Sequence, residues 1–293
     1  MQSASESAKL CVRRWANCIA GTAIDDRGKA AVGFARECAK HIHVASYDSR
    51  KVRLLFDEQE SSPDEPETLF QKLEQPILIE ATTLSFAEIL LFCQAARTLQ
   101  MKTLSFLYNE PGDYNRPNAK QVMLRRAFEL TDEVDHFTPI PGNLFFIRGS
   151  QSVQIVCLAG FEGQRLARLL EQTGIPPSKC SVVFGVPAFQ PGWEMDAFAN
   201  NVRILREGNL EQRVLFGGAE NPQAAYEAIS QVYKTLAPME RLVIAPIGTK
   251  PHGIGAALFA CEHDDVAVVY DHPMRKGGRS RRTGTWHVFE VSF

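Results

Sequence analysis

The chain has no long hydrophobic run, no paired-cysteine motif and no strong excess of charge of either sign. Its longest uninterrupted apolar stretches, such as Ile89–Cys93 and Ala256–Cys261, fall far short of the roughly 20 residues that a membrane-spanning helix needs. Seven cysteines, an odd number, are scattered through strand-like and helical segments, and no C-x-x-C pair occurs. That pattern argues against a disulfide scaffold or a cysteine zinc site and for reduced thiols in a core. The formal net charge is −2, so net charge does not indicate a nucleic-acid or acidic-membrane partner, and any basic site must be local. A G-x-G-x-x-G fingerprint, a Walker-type phosphate loop and a G-x-S-x-G nucleophile elbow are all missing, which removes three common enzyme signatures. The amino end, 1–9, is polar and has no apolar signal core. It reads as a loose tail on a cytoplasmic protein.

What is present is an ordinary globular composition, 45% hydrophobic and 23% charged over 293 residues, enough for two packed domains. Short apolar runs that read as buried strands alternate with segments of helical periodicity. In the first half, Val12–Thr22 reads as a strand, Lys29–Lys40 as a helix and His41–Ser46 and Val52–Phe56 as strands. Asp57–Glu67 is acidic with two prolines and reads as a solvated loop. Ile77–Ile79, the apolar helix Phe86–Leu99 and the strand Lys102–Tyr108 follow. A helical stretch is expected around Val122–Leu130 and a strand at Leu144–Ile147.

From Val153 the alternation restarts, with strands at Val153–Leu158 and Ser181–Val186, a short one at Arg213–Phe216, and helices at Leu166–Glu171 and around Asn200. Asn221 and Pro222 suit the cap and first position of a helix over Asn221–Leu236. The sharpest stretch comes next. A strand at Leu242–Pro246 leads into Gly248-Thr249-Lys250, a helix at Ile254–Cys261, and a strand ending at Tyr270-Asp271-His272-Pro273. Arg275, Lys276, Arg279, Arg281 and Arg282 form a basic loop, and Trp286–Val291 closes the chain as an antiparallel edge strand.

The two halves follow one plan. Asp25-Asp26-Arg27 precedes a helix in the first, as Glu162-Gly163-Gln164-Arg165 does in the second. Thr82-Thr83 follows a strand as Gly248-Thr249 does, and Tyr108-Asn109-Glu110-Pro111 matches Tyr270-Asp271-His272-Pro273. The pattern predicts an α/β fold of two Rossmann-like halves, 10–150 and 151–293, with mainly parallel sheets flanked by helices and a degenerate internal duplication behind them.

Loops at the carboxyl ends of parallel strands are where such folds bind ligands. A helix amino end beside Thr249, Lys250 and a run of arginines suits a phosphate. The same residues also make a tight turn with a surface lysine. Glu162 and Arg165 form either an intrahelical ion pair or a ligand clamp beside Gly160 and Gly163. Tyr108, Glu110, Tyr270 and Asp271 end their strands as rigid proline-bounded turns or as base-stacking and edge-reading groups, with Thr82, Thr83 and Arg275 beside them. His272 is the candidate general base. Glu262, His263, Asp264 and Asp265 are adjacent rather than spaced for one face, and read as a polar turn, not a metal site.

A Gly-Thr-Lys loop between strand and helix, in two Rossmann-like halves on one chain, resembles the CARF/SAVED class of nucleotide sensors of bacterial defence systems. In CARF domains a comparable Gly-Thr-Lys loop faces the ligand, and Gly248, Thr249 and Lys250 match it. In SAVED domains two such units are fused. The resemblance implies binding of a nucleotide or other phosphorylated small molecule in a cleft between the halves, as the sensing part of an antiviral defence complex with a partner effector protein. Two other functions fit the same residues. One is a nucleotide hydrolase or phosphodiesterase using Glu162, Lys250 and His272; the other is a structural or adaptor subunit contacting a protein or nucleic acid. No cofactor is named by any motif.

Overall fold

The computed structural model describes residues 1–5, 10, 14–115, 128, 130–144 and 152–293. The expected helix around Val122–Leu130 and strand at Leu144–Ile147 lie largely outside these residues. The chain divides into two compact units, Met1–Asn115 with Lys276–Phe293, and Arg116–Arg275. The division is therefore not a single cut near residue 150, because the carboxyl-terminal strand returns to the first unit.

The first unit contains β1 (Gln2–Ala4), β2 (Trp15–Ala20), α1 (Asp26–Cys38), β3 (Ala39–Asp48), β4 (Arg53–Phe56), β5 (Gln59–Ser61), α2 (Glu67–Phe70), β6 (Ile77–Glu80), α3 (Phe86–Thr98) and β7 (Thr103–Tyr114). The second contains β8 (Thr131–Glu133), β9 (Thr138–Pro139), β10 (Ser152–Leu158), α4 (Gly163–Thr173), β11 (Cys180–Gly185), α5 (Trp193–Glu207), β12 (Val214–Gly217), α6 (Pro222–Tyr233), β13 (Glu240–Pro246), α7 (Lys250–Glu262), β14 (Val266–Tyr270) and β15 (Met274–Arg275). The last strand, β16 (Ser280–Ser292), belongs to the first.

In the first unit one sheet runs β1-β16-β7-β6-β2-β3-β4-β5. Only its centre, β7-β6-β2-β3, is parallel. The expectation of a mainly parallel sheet fails here for a physical reason. Parallel neighbours need a long crossover, whereas hairpins give antiparallel ones. After β3 the chain turns back twice, Asp48↔Arg53 and Phe56↔Gln59 being the innermost pairs. The second turn converts part of the expected acidic loop into β5. On the other side β16 pairs antiparallel with β7 from Ser292↔Thr103 to Ser280↔Tyr114. That long partner carries β7 six residues beyond the expected strand end at Tyr108, through Asn109–Tyr114. It also takes Arg281 and Arg282 out of the expected basic loop. The amino terminus is not loose throughout, since Gln2–Ala4 covers β16 and leaves it off the sheet edge.

Local signals agree with this architecture. Asp25 caps α1 through Gly28 N at 2.8 Å. Ser85 and Glu88 form a reciprocal box at the start of α3, with Glu88 Oε2 accepting from Ser85 N at 2.8 Å; each such device satisfies orphan amide donors of a first turn. Helix α3 is buried at Ile89, Leu90, Leu91, Phe92 and Cys93, around more than one face. Another core joins Phe34, Ala35 and Cys38 of α1 to Cys18, Leu78, Leu107 and Trp286.

The second sheet runs β12-β11-β10-β13-β14-β9, parallel except for β9 at its edge. Its central strands read as continuous apolar runs because both faces are covered. On one face Ile155, Cys157, Val182, Phe184, Val243 and Ala245 pack against Leu166, Leu169 and Leu170 of α4 and Leu205 of α5. Helices α4 and α5 meet closely at Gly163, where a Cβ would lie 2.1 Å from Asn200 O. Any side chain there would force the helices apart.

The inner strands of the two sheets occupy matching places. In each, the first strand (β2, β10) has the next strand (β3, β11) on one side. On its other side lie the threonine-loop strand (β6, β13) and then the strand carrying the tyrosine (β7, β14). No helix among the described residues is long and apolar enough to cross a membrane.

Candidate functional site

In the second unit the chain leaves β10 for β11 on one side and later enters β13 on the other, so the loops after β10 and β13 diverge at a topological switch point. Ligands of open α/β sheets bind outside the carboxyl ends of the strands at such points. The loop after β13 is Ile247-Gly248-Thr249, and Thr249 caps α7, its side chain accepting from His252 N. Lys250 stands at the first helical position and Pro251 at the second, where a missing amide donor costs no helical hydrogen bond. Gly248 is needed for close approach: a Cβ would lie 2.8 Å from Ala159 O and 2.9 Å from Leu158 O.

Behind this loop lies a buried charge network. Arg165, in the first turn of α4, donates from Nε to Asp271 Oδ2 and from Nη2 to Asp271 Oδ1, each at 2.6 Å. Its Nη1 donates to Ile247 O at 3.0 Å. One guanidinium thus ties the α4 amino end to the end of β14 and to the loop after β13. Burial opposes the charge on Arg165, and the bidentate Asp271 carboxylate more than restores it, so its pKa is raised. Glu162 lies 3.8 Å from Arg165 Nη1. Its Oε1 also accepts from Leu130 N and Thr131 N at 3.2 Å and from Thr131 Oγ1 at 2.8 Å.

The structure therefore brings Arg165, Asp271, Glu162 and the Gly248-Thr249-Lys250 loop into one neighbourhood, and much of their bonding capacity is spent inside it. Thr249 Oγ1 accepts from His252 N at 3.3 Å and donates to Ala219 O at 2.8 Å. Tyr270 is buried, with its ring edge-on to His272 at 5.1 Å. His272 adopts a left-handed backbone with φ 40°, which an L residue rarely does. Arg275 lies in the short ribbon of β15 with β8, away from the sheet edge in sequence and paired with Thr131. His252, in the first turn of α7, is fully buried with Nε2 2.9 Å from Gly218 O, and burial pushes its pKa down. The polar turn after α7 is spent on packing: Glu262 accepts from Tyr226, and Asp265 from Tyr233 at 3.0 Å. Among the described residues no group of three or more His, Cys, Asp or Glu is placed to hold a metal ion.

The remaining candidates lie in the first unit. Glu80, at the end of β6, accepts from Thr82 N at 2.8 Å, from Thr83 N at 3.0 Å and from Thr83 Oγ1. Thr83 Oγ1 accepts from Gly21 N at 2.8 Å, and Thr82 Oγ1 from Asn109 N at 3.0 Å. Both threonines are buried and tie strand ends together. Glu110 lies 2.8 Å from His287 Nε2, whose Nδ1 is 2.7 Å from Ser3 Oγ, a ladder across β7, β16 and β1. Tyr108 is buried, which raises its pKa, and its hydroxyl lies 3.4 Å from Arg27 Nη1.

Sequence reasoning sets Arg27 opposite Arg165 in the repeat but does not count it among the candidate contacts. Its spacing carries a signal: it stands seven residues past the end of β2 (20 to 27), as Arg165 stands seven past the end of β10 (158 to 165). Comparison with protein-family models, curated proteins and solved structures gives no match.

Proposed function

We propose that the chain binds a nucleotide or other phosphorylated small molecule at the carboxyl edge of the six-stranded sheet. The observation that carries this reading is the switch point between β10 and β13, with the amino end of α7 and half-buried Lys250 beside it. A helix amino end favours an anion, and a lysine adds a charge-assisted bond. Arg165, Asp271, Glu162 and Thr249 then act as positioning residues that fix the loops, rather than as ligand contacts.

Binding is favoured over hydrolysis because the Glu162 carboxylate already takes three donors from 130–131 and faces Arg165. A cytoplasmic sensing subunit of the CARF/SAVED kind, signalling to a partner effector, is the role that suits binding without turnover. The matching strand order and the matching arginine spacing support descent of both units from one duplicated ancestor.

The test is a thermal-shift screen of the whole chain against nucleotides and cyclic oligonucleotides, followed by calorimetry on each hit. Lys250→Ala should weaken a phosphorylated hit about tenfold or more and leave the melting temperature nearly unchanged. Equal affinity in the variant would remove Lys250 from the site. Turnover of a hit that Glu162→Gln abolishes would favour the hydrolase.

A further inference from the structure

Arg27 is 2% exposed, and the Asp25 carboxylate attracts its guanidinium without a hydrogen bond between them. Nη1 makes two long bonds, 3.4 Å to Tyr108 Oη and 3.2 Å to Asn109 O, and Nε is buried with no partner. The guanidinium carbon lies 5.9 Å from the Tyr108 ring centre, a weak contact for a full charge. Asp25 is the acidic neighbour, but its oxygens are taken by Gly28 N and Ser280 Oγ. Removing a charge from water without a partner is costly, and proteins normally pair such groups.

A second unmatched atom lies beside it. Asn109 is fully buried, and its Nδ2 donates to Gly284 O at 3.2 Å, which fixes the orientation of the amide. Its Oδ1 is then a buried acceptor with no donor. An unpaired cationic donor and an unpaired acceptor thus lie near one another in the middle of β7, where Arg27 Nη1 holds the Asn109 carbonyl.

The other unit shows what this place accepts. Arg165, at the same distance past its first strand, is filled by a carboxylate at two 2.6 Å bonds. We infer that Arg27 is the receptor for a small oxyanion, the phosphate or carboxylate group of a metabolite that binds the first unit. Arg27 Nε donates to its oxygens, and a protonated oxygen or an amine on the same ligand donates to Asn109 Oδ1. This site is separate from the one around Lys250.

The experiment titrates the whole chain with inorganic phosphate, and in a second arm with acetate, at constant ionic strength, and follows the melting temperature. Parent protein should show a saturable rise. Arg27→Lys keeps the charge but loses the fork, and Asn109→Asp sets a carboxylate beside the guanidinium; each should weaken the response about tenfold or more. Response to phosphate alone assigns a phosphate group, and response to acetate as well assigns any oxyanion. If Arg27→Lys does not fold, Asn109→Asp decides. No saturable rise in the parent, or a parent-like rise in the variants that fold, overturns the proposal. So does a response that disappears in Lys250→Ala while persisting in Asn109→Asp, since that places the anion in the second unit.

Discussion

Arg165 in the second unit grips Asp271 through two bonds of 2.6 Å, whereas Arg27 in the first reaches only a phenol at 3.4 Å and a carbonyl at 3.2 Å. Both are buried, both lie in the first turn of the helix that follows β2 or β10, and both reach the residue just after the tyrosine of the tyrosine-bearing strand. The difference is what that place offers. Asp271 brings a counter-charge; Tyr108 and Asn109 bring dipoles. The second unit pairs its arginine with a carboxylate through two hydrogen bonds, while the first leaves Nε of its arginine without a partner.

The largest effect expected from breaking this comparison is in the second unit. Asp271→Ala leaves Arg165 buried without its partner and should cost about 3–5 kcal/mol in urea denaturation. Removing both charges together, as Arg165→Met with Asp271→Leu, should cost less, because the two charges leave as a pair and Glu162, which loses an ionic neighbour, keeps its donors from 130–131. A double-mutant cycle reads the coupling. Equal losses in the single and double variants would mean that packing, not charge, holds the edge.

Arg27→Met should stay within about 1 kcal/mol of the parent, since the two long hydrogen bonds and the attraction to Asp25 that are lost are offset by relief of a desolvated charge. A loss as large as that of Asp271→Ala would show that Arg27 is already paired. The smallest effect is a slope. Asp25 is partly desolvated, which by itself raises its pKa, but the Ser280 hydroxyl, Gly28 N and the charges of Arg27 and Arg279 outweigh this and lower it. Its stabilisation is full above the unfolded aspartate value, about 3.9, and is lost as pH falls through the lower folded value. Asp25→Asn should flatten the stability curve in that acid window and leave it unchanged near neutrality.

Much of the element order was legible because it is local. Apolar runs marked β6, β10, β11 and β13, Asn221 and Pro222 marked the start of α6, and the Gly248-Thr249-Lys250 loop fell between strand and helix as expected. What escaped depends on partners far away in sequence. Asn109–Tyr114 is turn-like by composition, and only β16 makes it strand. The carboxyl-terminal strand itself carries no local sign that it belongs to the first unit. In the site, burial was the hidden quantity: Thr82, Thr83, Glu110 and Glu162 looked available as ligand contacts and are instead bonded within the fold. Arg27 is buried against Tyr108 and Asn109, which lie more than 80 residues away in sequence and leave no local sign.

The central claim is that an arginine at this point of either sheet is an oxyanion receptor, satisfied internally in one unit and not in the other. Its most direct test is chemical rescue of Asp271→Ala with formate, which replaces the lost carboxylate without the chain. Melting temperature is followed against formate, with chloride at equal ionic strength as the reference. The account predicts a saturable recovery in the variant, larger than any rise in the parent. Identical curves for formate and chloride in the variant would contradict it.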